Sequence, residues 1–178
     1  MKFLATTVVA SVGLALAGCV QSDKPILGGG EQAFGPTLRL QLYAMRDGRA
    51  TDPERVLYRW GNGVYRHAAG GMRDVPAFSV HAFDNGDYIV QTVPAKLGNP
   101  VEYAVAHKLL DGVWQVVPVD EDDADEATRA ANCTSRQSVC TVATSEQLRT
   151  FARATAAKPH PNGGLAIRLA DEPAKRRR

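Results

Sequence analysis

Two cysteines separated by six residues are the first candidates for chemistry in this sequence. Cys133 and Cys140 enclose the segment CTSRQSVC, and their spacing differs from the two-residue gap typical of redox dithiols and zinc sites. In an exported protein, an even pair of cysteines is most simply a disulfide. Such a bridge would stabilise the fold by about 2–3 kcal/mol on the loop-entropy model. We therefore predict a structural disulfide, with a reactive dithiol or a metal-binding pair as the alternative.

Three histidines, His67, His81 and His107, lie on predicted strands. Pairing across strands could bring two of them together as a zinc site or an acid–base site. By alternation, His107 shares a face with Val105 and is predicted to be buried, whereas His81 lies with Ser79 on the polar face of its strand. Because the set is split between faces, we predict no metal site and no cofactor.

An acidic run, DEDDADE at residues 120–126, offers the oxygen ligands that calcium prefers. The run lacks the glycine and the distal glutamate of an EF-hand loop. Acids at the start of a helix also complement the positive end of its dipole. The pattern therefore favours a solvated helix start, with calcium binding as the alternative.

Aromatic residues on strands form the remaining group of candidates. Core packing is their usual role. Tyr65, Phe83 and Trp114 occupy the phase opposite the aliphatic residues of their strands, so we expect these three to face outward. They are the candidates for a pocket rim or a partner surface.

Strong catalytic motifs are absent from the sequence. It contains no G-x-S-x-G, no H-E-x-x-H, no C-x-x-C and no phosphate-binding glycine loop that opens a helix. A dispersed hydrolase site would need some of His81, Asp84, Asp87 and Glu102 to converge in a cleft. No catalytic residue is assigned, and the sequence favours a non-enzymatic protein.

The N-terminal segment has the features of an export signal. Lys2 precedes an apolar stretch over residues 3–17, which is too short to cross a bilayer. Leu16-Ala17-Gly18-Cys19 then resembles the lipobox of bacterial lipoproteins. The resemblance implies cleavage before Cys19, a thioether-linked diacylglycerol on its sulfur and usually an acylated amine. An unmodified Cys19 near the end of an ordinary signal is the alternative.

The same resemblance implies a location and a first partner. Several acyl chains would make attachment to the membrane effectively permanent. Val20 after the cysteine is compatible with passage to the outer membrane, on its periplasmic face. The expected partners are the membrane, through the acylated N-terminus, and another envelope protein or a wall polymer.

The length and charge of the mature chain limit the number of domains and the class of partner. Removing residues 1–18 from the 178 leaves 160 residues, with 20 basic and 19 acidic side chains. This length fits one domain with a sizeable core. The near-neutral balance argues against nucleic acid as a partner.

The rest of the sequence predicts how these residues are positioned. Residues 19–36 are rich in glycine and predict a flexible tether. From Thr37 the pattern alternates with period two, which is typical of strands with one buried face. Asn62-Gly63, Asn85-Gly86 and Asp111-Gly112 each predict a hairpin.

The C-terminal part predicts a helix and a last strand. Thr144 and Gln147 resemble a capping box before an amphipathic helix over 145–157. Leu165 to Leu169 alternate as a strand, and residues 171–178 form a basic tail that could contact lipid phosphates or simply be a soluble end. The predicted fold is a single α+β domain over 37–170. It is a curved antiparallel meander of six to seven strands with one or two helices.

These observations favour a lipid-anchored envelope protein that is a non-enzymatic binding or assembly module. A small envelope hydrolase with a dispersed site and an inhibitor of a wall-degrading enzyme are the alternatives. The inhibitor reading depends on size, compartment and fold class alone.

Overall fold

Thirteen strands and two α-helices make up the described part of the chain. A computed structural model describes residues 20–68, 76–94, 96, 98–136 and 139–170. The signal segment, Cys19 and the basic tail lie outside these residues. The strands are β1 (Val20–Ser22), β2 (Thr37–Tyr43), β3 (Met45–Arg46), β4 (Arg49–Ala50), β5 (Glu54–Gly61), β6 (Val64–His67), β7 (Ala77–Ala82), β8 (Tyr88–Val93), β9 (Val101–Leu110), β10 (Val113–Pro118), β11 (Thr134–Arg136), β12 (Val139–Thr141) and β13 (Gly164–Arg168); the helices are α1 (Glu126–Asn132) and α2 (Ser145–Ala156).

Eight of these strands close into a barrel. Their order is β10-β13-β2-β5-β6-β7-β8-β9, and β9 pairs back with β10. Every neighbouring pair in this ring is antiparallel. The predicted α+β class and the curved antiparallel sheet are confirmed, and the described residues hold more strands than predicted. Closure removes the free edges that an open sheet would expose to other chains.

The three predicted hairpins are present at their predicted turns. Asn62 and Asn85 adopt positive φ angles of 52° and 58°, and the glycine after each follows with φ of 77° and 84°. Gly112 turns β9 into β10 with φ of 78°. Asparagine and glycine tolerate this left-handed region with little strain, which is why these pairs mark the turns.

Alternation along each strand fills the inside of the barrel. On β2, Leu38, Leu40 and Leu42 are buried while the residues between them are partly exposed. They belong to an inner core that also contains Val56, Tyr58, Tyr65, Val80 and Ala166. The buried residues of the inner core therefore come from one face of β2, β5, β6, β7 and β13.

A second core lies on the outer face of the barrel, under α2. Thr144 caps this helix and forms the predicted capping box with Gln147. Leu148 and Phe151 are fully buried, together with Ile89 and Tyr103 of the barrel wall. The predicted helix is thus confirmed, ending at Ala156. In the described residues, neither helix has the length and apolar character needed to span a bilayer.

Residues 20–36 pack on the barrel instead of forming the predicted flexible tether. Strand β1 pairs with β12 in parallel and with β9 in antiparallel fashion. Val20 and Leu27 are buried in the outer core. The side-chain amide of Gln91 accepts from the Leu27 N–H at 3.1 Å and donates to its carbonyl at 3.3 Å. Burial of these apolar side chains and hydrogen bonding of their backbone explain why the glycine-rich segment is held.

The predicted cysteine pair is also present. Cys133 and Cys140 lie at disulfide distance, with their Cα atoms 5.2 Å apart. Between them, β11 and β12 form an antiparallel hairpin. The bridge therefore links the end of α1 to the strand that pairs with β1.

Candidate functional site

Inside the barrel lies a partly open apolar cavity of about 80 Å³. Its wall is contributed by seven of the eight barrel strands and by residues outside them. None of the described residues that line it carries a charge. The aliphatic and aromatic residues that dominate the wall include Leu38, Leu40, Leu42, Phe78, Val80 and Val90.

Small side chains at two wall positions explain why the interior is not completely filled. Ala106 of β9 and Ala166 of β13 both line the cavity and are almost fully buried. Eight-stranded barrels are just wide enough to be filled by their own side chains or to hold one small ligand. Two alanines among larger residues shift this balance toward a space for a ligand.

Three rings surround Phe34, and we call Phe34, Tyr65, Tyr88 and Trp114 the aromatic cap. Phe34 and Trp114 of this cluster line the cavity. The Phe34 ring centroid lies 5.0 Å from that of Trp114 and 5.3 Å from that of Tyr88, both in edge-to-face geometry. Tyr65 holds Phe34 in place, because its hydroxyl accepts from the Phe34 N–H at 2.9 Å and donates to the Gly35 carbonyl at 3.1 Å. Offset and edge-to-face pairs of this kind are favourable packing arrangements.

Few polar atoms reach the cavity wall. The Thr92 hydroxyl donates to the Glu102 carbonyl and accepts from the Glu102 N–H, at 3.2 and 2.9 Å. Burial, with a smaller contribution from the Glu54 carboxylate, raises the pKa of Tyr58. Trp114 lines the cavity, yet its buried Nε1 donor has no hydrogen-bond partner among the described residues. The site is therefore apolar and neutral.

The three aromatic residues expected to face outward are in fact buried, which corrects that prediction. Tyr65 and Trp114 belong to the aromatic cap, whereas Phe83 packs in the outer core. At these positions the barrel wall is covered, by the inner core or by the outer core, so the face opposite the aliphatic residues is buried as well. The sequence thus located two of the four cap residues but assigned them to the wrong face.

The histidines lie in separate places and have different partners. The His67 ring stacks edge-on against Tyr58, with centroids 6.1 Å apart. His81 Nε2 lies 2.9 Å from the Ser79 hydroxyl, and burial lowers the pKa of its imidazole. His107, predicted to be buried, is 49% exposed, because the buried part of β9 ends at Ala106.

Of the residues proposed for a dispersed hydrolase, His81, Asp84 and Asp87 each contact a different partner. Asp87 pairs with His107, while Asp84 pairs with Arg153 on α2 at 2.8 Å. Ser79, next to His81, is almost completely buried. A buried hydroxyl cannot meet a substrate, so this polar cluster has a packing role.

The acidic run supplies helix caps and ion pairs. Asp125 caps α1 by accepting from the Thr128 N–H at 2.7 Å. Asp122 pairs with Arg129 at 3.0 Å, and Asp123 with Lys158 at 3.4 Å. These contacts fit the predicted helix start.

Among the described residues, one group of three side chains of the kinds that bind metals lies close together, namely Glu121, Cys133 and Cys140. Its two sulfur atoms lie at disulfide distance from each other. A disulfide uses both thiols, so this group is a bridge with a neighbouring carboxylate.

Sequence reasoning missed Phe34 and the leucines of β2 as site residues. Phe34 lies in the glycine-rich segment that predicts a tether, and alternation alone cannot distinguish a filled core from a cavity wall. The apolar ring of Phe34 within that polar segment was the sequence feature that could have indicated a packed position. Comparison of the chain with known protein families, curated proteins and solved structures gives no match.

Proposed function

We propose that this protein is a lipid-anchored, non-enzymatic binding module of the bacterial envelope that holds a small, neutral, mainly apolar ligand inside its barrel. The observation that supports this proposal most directly is the apolar cavity of about 80 Å³. Concave apolar sites with a few polar groups are the usual form of small-molecule sites. The periplasmic face of the outer membrane is the proposed location.

The size of the cavity limits the ligand. An engineered apolar cavity of about 150 Å³ stays dry and binds benzene. The barrel cavity has about half that volume and is partly open, so it takes a slender chain or part of a ring system while the rest of the ligand stays outside. Each methylene group that moves from water into the barrel contributes about 0.8 kcal/mol.

The lining also determines the charge of the ligand. Moving an ionised group into an apolar site without a partner is strongly unfavourable. No described residue of the wall offers a countercharge. The ligand is therefore neutral where it contacts the barrel.

The proposed anchor would determine where in the cell envelope this binding module acts. Acyl chains on Cys19 would hold the domain at the surface where apolar molecules concentrate. Transfer from a membrane to a protein interior exchanges one apolar environment for another. The lipobox resemblance of Leu16-Ala17-Gly18-Cys19 supports this part of the proposal.

The test is a titration of the purified protein with butylbenzene, followed by methyl NMR. We expect saturable shifts at Leu38, Leu42 and Val80, which line the cavity, and none at Leu148 in the outer core. Calorimetry of the same titration gives the dissociation constant. Shifts confined to the outer core would contradict the proposal.

Matched variants locate the binding. Ala106→Leu and, independently, Ala166→Leu place extra methyl groups in the cavity and should weaken binding at least about tenfold, as one lost contact of 1.4 kcal/mol does. Ala127→Leu makes the same change on the exposed side of α1 and should leave affinity unchanged. Equal affinity in all variants would place the probe outside the barrel and refute the proposed site.

A further inference from the structure

We propose that the outer face of β2, β5 and β6 binds an extended anionic glycan of the cell envelope. Arg55, Arg59 and Arg66 lie on this part of the barrel wall, and we call it the arginine face. None of these three residues lines the cavity, so this is a second site, independent of the proposed ligand in the barrel. One step, the orientation of the face, rests on the proposed lipid anchor.

Alternation along the strands directs the three arginines outward. Val56 and Tyr58 of β5 belong to the inner core, and successive side chains of a strand point to opposite faces. Arg55 and Arg59 therefore point away from the barrel interior, and both are exposed. Arg66 is exposed on β6 and lies directly opposite Arg59, which puts the two side chains on the same face.

The arginine face carries positive charge, and none of its described positions holds an acidic side chain. Among the described residues, none of the guanidinium groups of Arg55, Arg59 and Arg66 forms an ion pair. Arg66 donates to the Gly61 carbonyl at 2.8 Å, which leaves most of its N–H groups for a partner. The other outward positions are Thr37, Arg39, Gln41, Tyr43, Leu57 and Val64. An anionic partner complements a surface of this kind.

The register of β5 and β6 adds an electrostatic cost that such a partner would remove. Arg59 is the direct cross-strand neighbour of Arg66, and like charges in this position destabilise a sheet. An anion held between the two guanidinium groups would replace their repulsion with two attractions. The fork of N–H groups on an arginine also fits carboxylate and phosphate oxygens.

The extent of the face indicates a polymer. Arg55 and Arg59 are four residues apart on one strand, a distance of about 13 Å. One small anion cannot contact both, whereas a chain with repeated charges can. Protein interfaces need an apolar core. The exposed large hydrophobic residues of the described chain, Leu109 and Leu110, lie on β9 and not on this face, so a glycan fits it better than an acidic protein does.

The position of the face in the barrel favours a wall polymer over lipid headgroups. In the ring of eight strands, β5 is the fourth strand from β9 in either direction and therefore lies opposite it. Strand β1, which begins next to Cys19, pairs with β9. With acyl chains on Cys19 in the membrane, the arginine face would point away from the bilayer and into the periplasm.

The test is a titration of the purified protein in a non-ionic detergent with fluorescent octagalacturonate, a linear glycan that carries a carboxylate on each sugar. The fully methyl-esterified octamer is the matched neutral probe. We expect saturable binding of the acid and none of the ester. Because salt screens exposed charges, the affinity for the acid should fall as salt rises from about 50 to 200 mM.

Matched variants locate this binding. Arg59→Gln combined with Arg66→Gln should weaken it at least about fivefold, and Arg55→Gln should weaken it by a smaller factor. Arg149→Gln combined with Arg153→Gln makes the same change of charge on α2, which packs over the outer core, and should leave the affinity unchanged. Butylbenzene should bind equally to all of these variants, because it enters the barrel from inside the wall that they leave intact.

Two competitors separate the other partners. The titration is repeated with octaglutamate, and then on vesicles of phosphatidylcholine alone or of equal parts phosphatidylcholine and phosphatidylglycerol. Octagalacturonate should outcompete octaglutamate and should bind on both kinds of vesicle. Stronger binding of octaglutamate would assign the face to an acidic protein, and loss of glycan binding on the anionic vesicles would assign it to lipid headgroups. Either result would overturn this inference.

The remaining outcomes keep the two proposals apart. Binding of the esterified octamer, or full affinity for the acid after replacement of Arg59 and Arg66, would overturn the inference and leave the proposed function intact. Failure of butylbenzene to bind, with normal binding of octagalacturonate, would overturn the proposed function alone.

Discussion

The Asp87 carboxylate accepts a hydrogen bond from His107 Nδ1 at 2.8 Å and another from the Lys108 backbone N–H at 2.9 Å. Asp87 follows the turn between β7 and β8 and is only 5% exposed, whereas half of the His107 side chain is open to solvent. The pair joins the beginning of β8 to β9. It is therefore a structural clamp at one end of the barrel wall.

Replacing Asp87 should destabilise the protein. Asp87→Ala leaves the Lys108 N–H without its partner, and we expect a loss of about 1–3 kcal/mol in the free energy of unfolding. Asp84→Ala removes only the exposed ion pair with Arg153 and should cost less than about 1 kcal/mol. Urea unfolding measures the loss in both variants. Equal losses would show that the buried hydrogen bonds of Asp87 stabilise the protein no more than the exposed ion pair of Asp84 does.

The outer core should depend strongly on α2. Leu148→Ala creates a cavity at a fully buried position, so we expect a loss of about 3 kcal/mol or more. Leu109→Ala removes the same atoms from a side chain that is 50% exposed and should change stability by less than about 0.5 kcal/mol. Thermal and urea unfolding of the two variants provide the comparison. A small effect at Leu148 would mean that α2 is not firmly packed on the barrel.

The cysteine pair should stabilise the fold through its unfolded state. Cys133→Ser combined with Cys140→Ser should lower the free energy of unfolding by about 2–3 kcal/mol, the value expected for a loop of this length. A reductant should lower the stability of the unchanged protein by a similar amount and leave the double variant unaffected. Reductant sensitivity of the double variant would contradict this account.

Alkaline pH should destabilise the fold through its buried tyrosines. Burial raises the pKa of Tyr58, Tyr65 and Tyr103 above the ordinary value. Above about pH 10 the unfolded chain releases these protons while the folded chain keeps them, so stability falls as pH rises. Their contribution is fully present below that pH.

Tyr58→Phe tests this pH dependence. The variant should lose stability less steeply above about pH 10, by up to about 1.4 kcal/mol per pH unit, because one buried proton no longer differs between the two states. Below that pH, the two proteins should have parallel profiles. An unchanged slope in urea unfolding would show that Tyr58 ionises as readily in the folded protein as in the unfolded chain.

The proposed anchor predicts a specific mass. Protein extracted from membranes should begin at Cys19 and carry added acyl mass, and two cysteines should react with a thiol reagent only after reduction. Cys19→Ser serves as the control and should yield protein without acyl mass. A soluble, unacylated species from the unchanged protein would remove the anchor from the proposed function.

Local chemistry explains what could be predicted from the residues. Asn62-Gly63 and Asn85-Gly86 specify hairpin turns through their backbone freedom, and the Thr144 capping box marks where α2 begins. Such signals lie within a few neighbouring residues. They therefore predicted the hairpins, the helix and the cysteine pair correctly.

The remaining features depend on contacts between distant segments. Pairing of β9 with β10 on one side and β8 on the other closes the barrel, and no local pattern shows closure. Trp114 faces the cavity together with Val116, and alternation alone does not tell an inner face of a barrel from an outer one. Phe34 joins the site through Tyr65, 31 residues further along the chain. For these reasons the site was predicted only in fragments.

The burial of Val20 determines how far from the membrane the anchored domain would lie. Val20 is fully buried, and its N–H donates to the Val119 carbonyl at 3.3 Å. With acyl chains on Cys19, only about 3.5 Å of chain would separate the lipid from a folded strand, whereas a flexible 17-residue segment would span about 23 Å. The domain would lie directly on the headgroups in a restricted orientation, with the beginning of β1 toward the bilayer. A ligand would then transfer between the membrane and the barrel at the lipid surface, without diffusing through the periplasm.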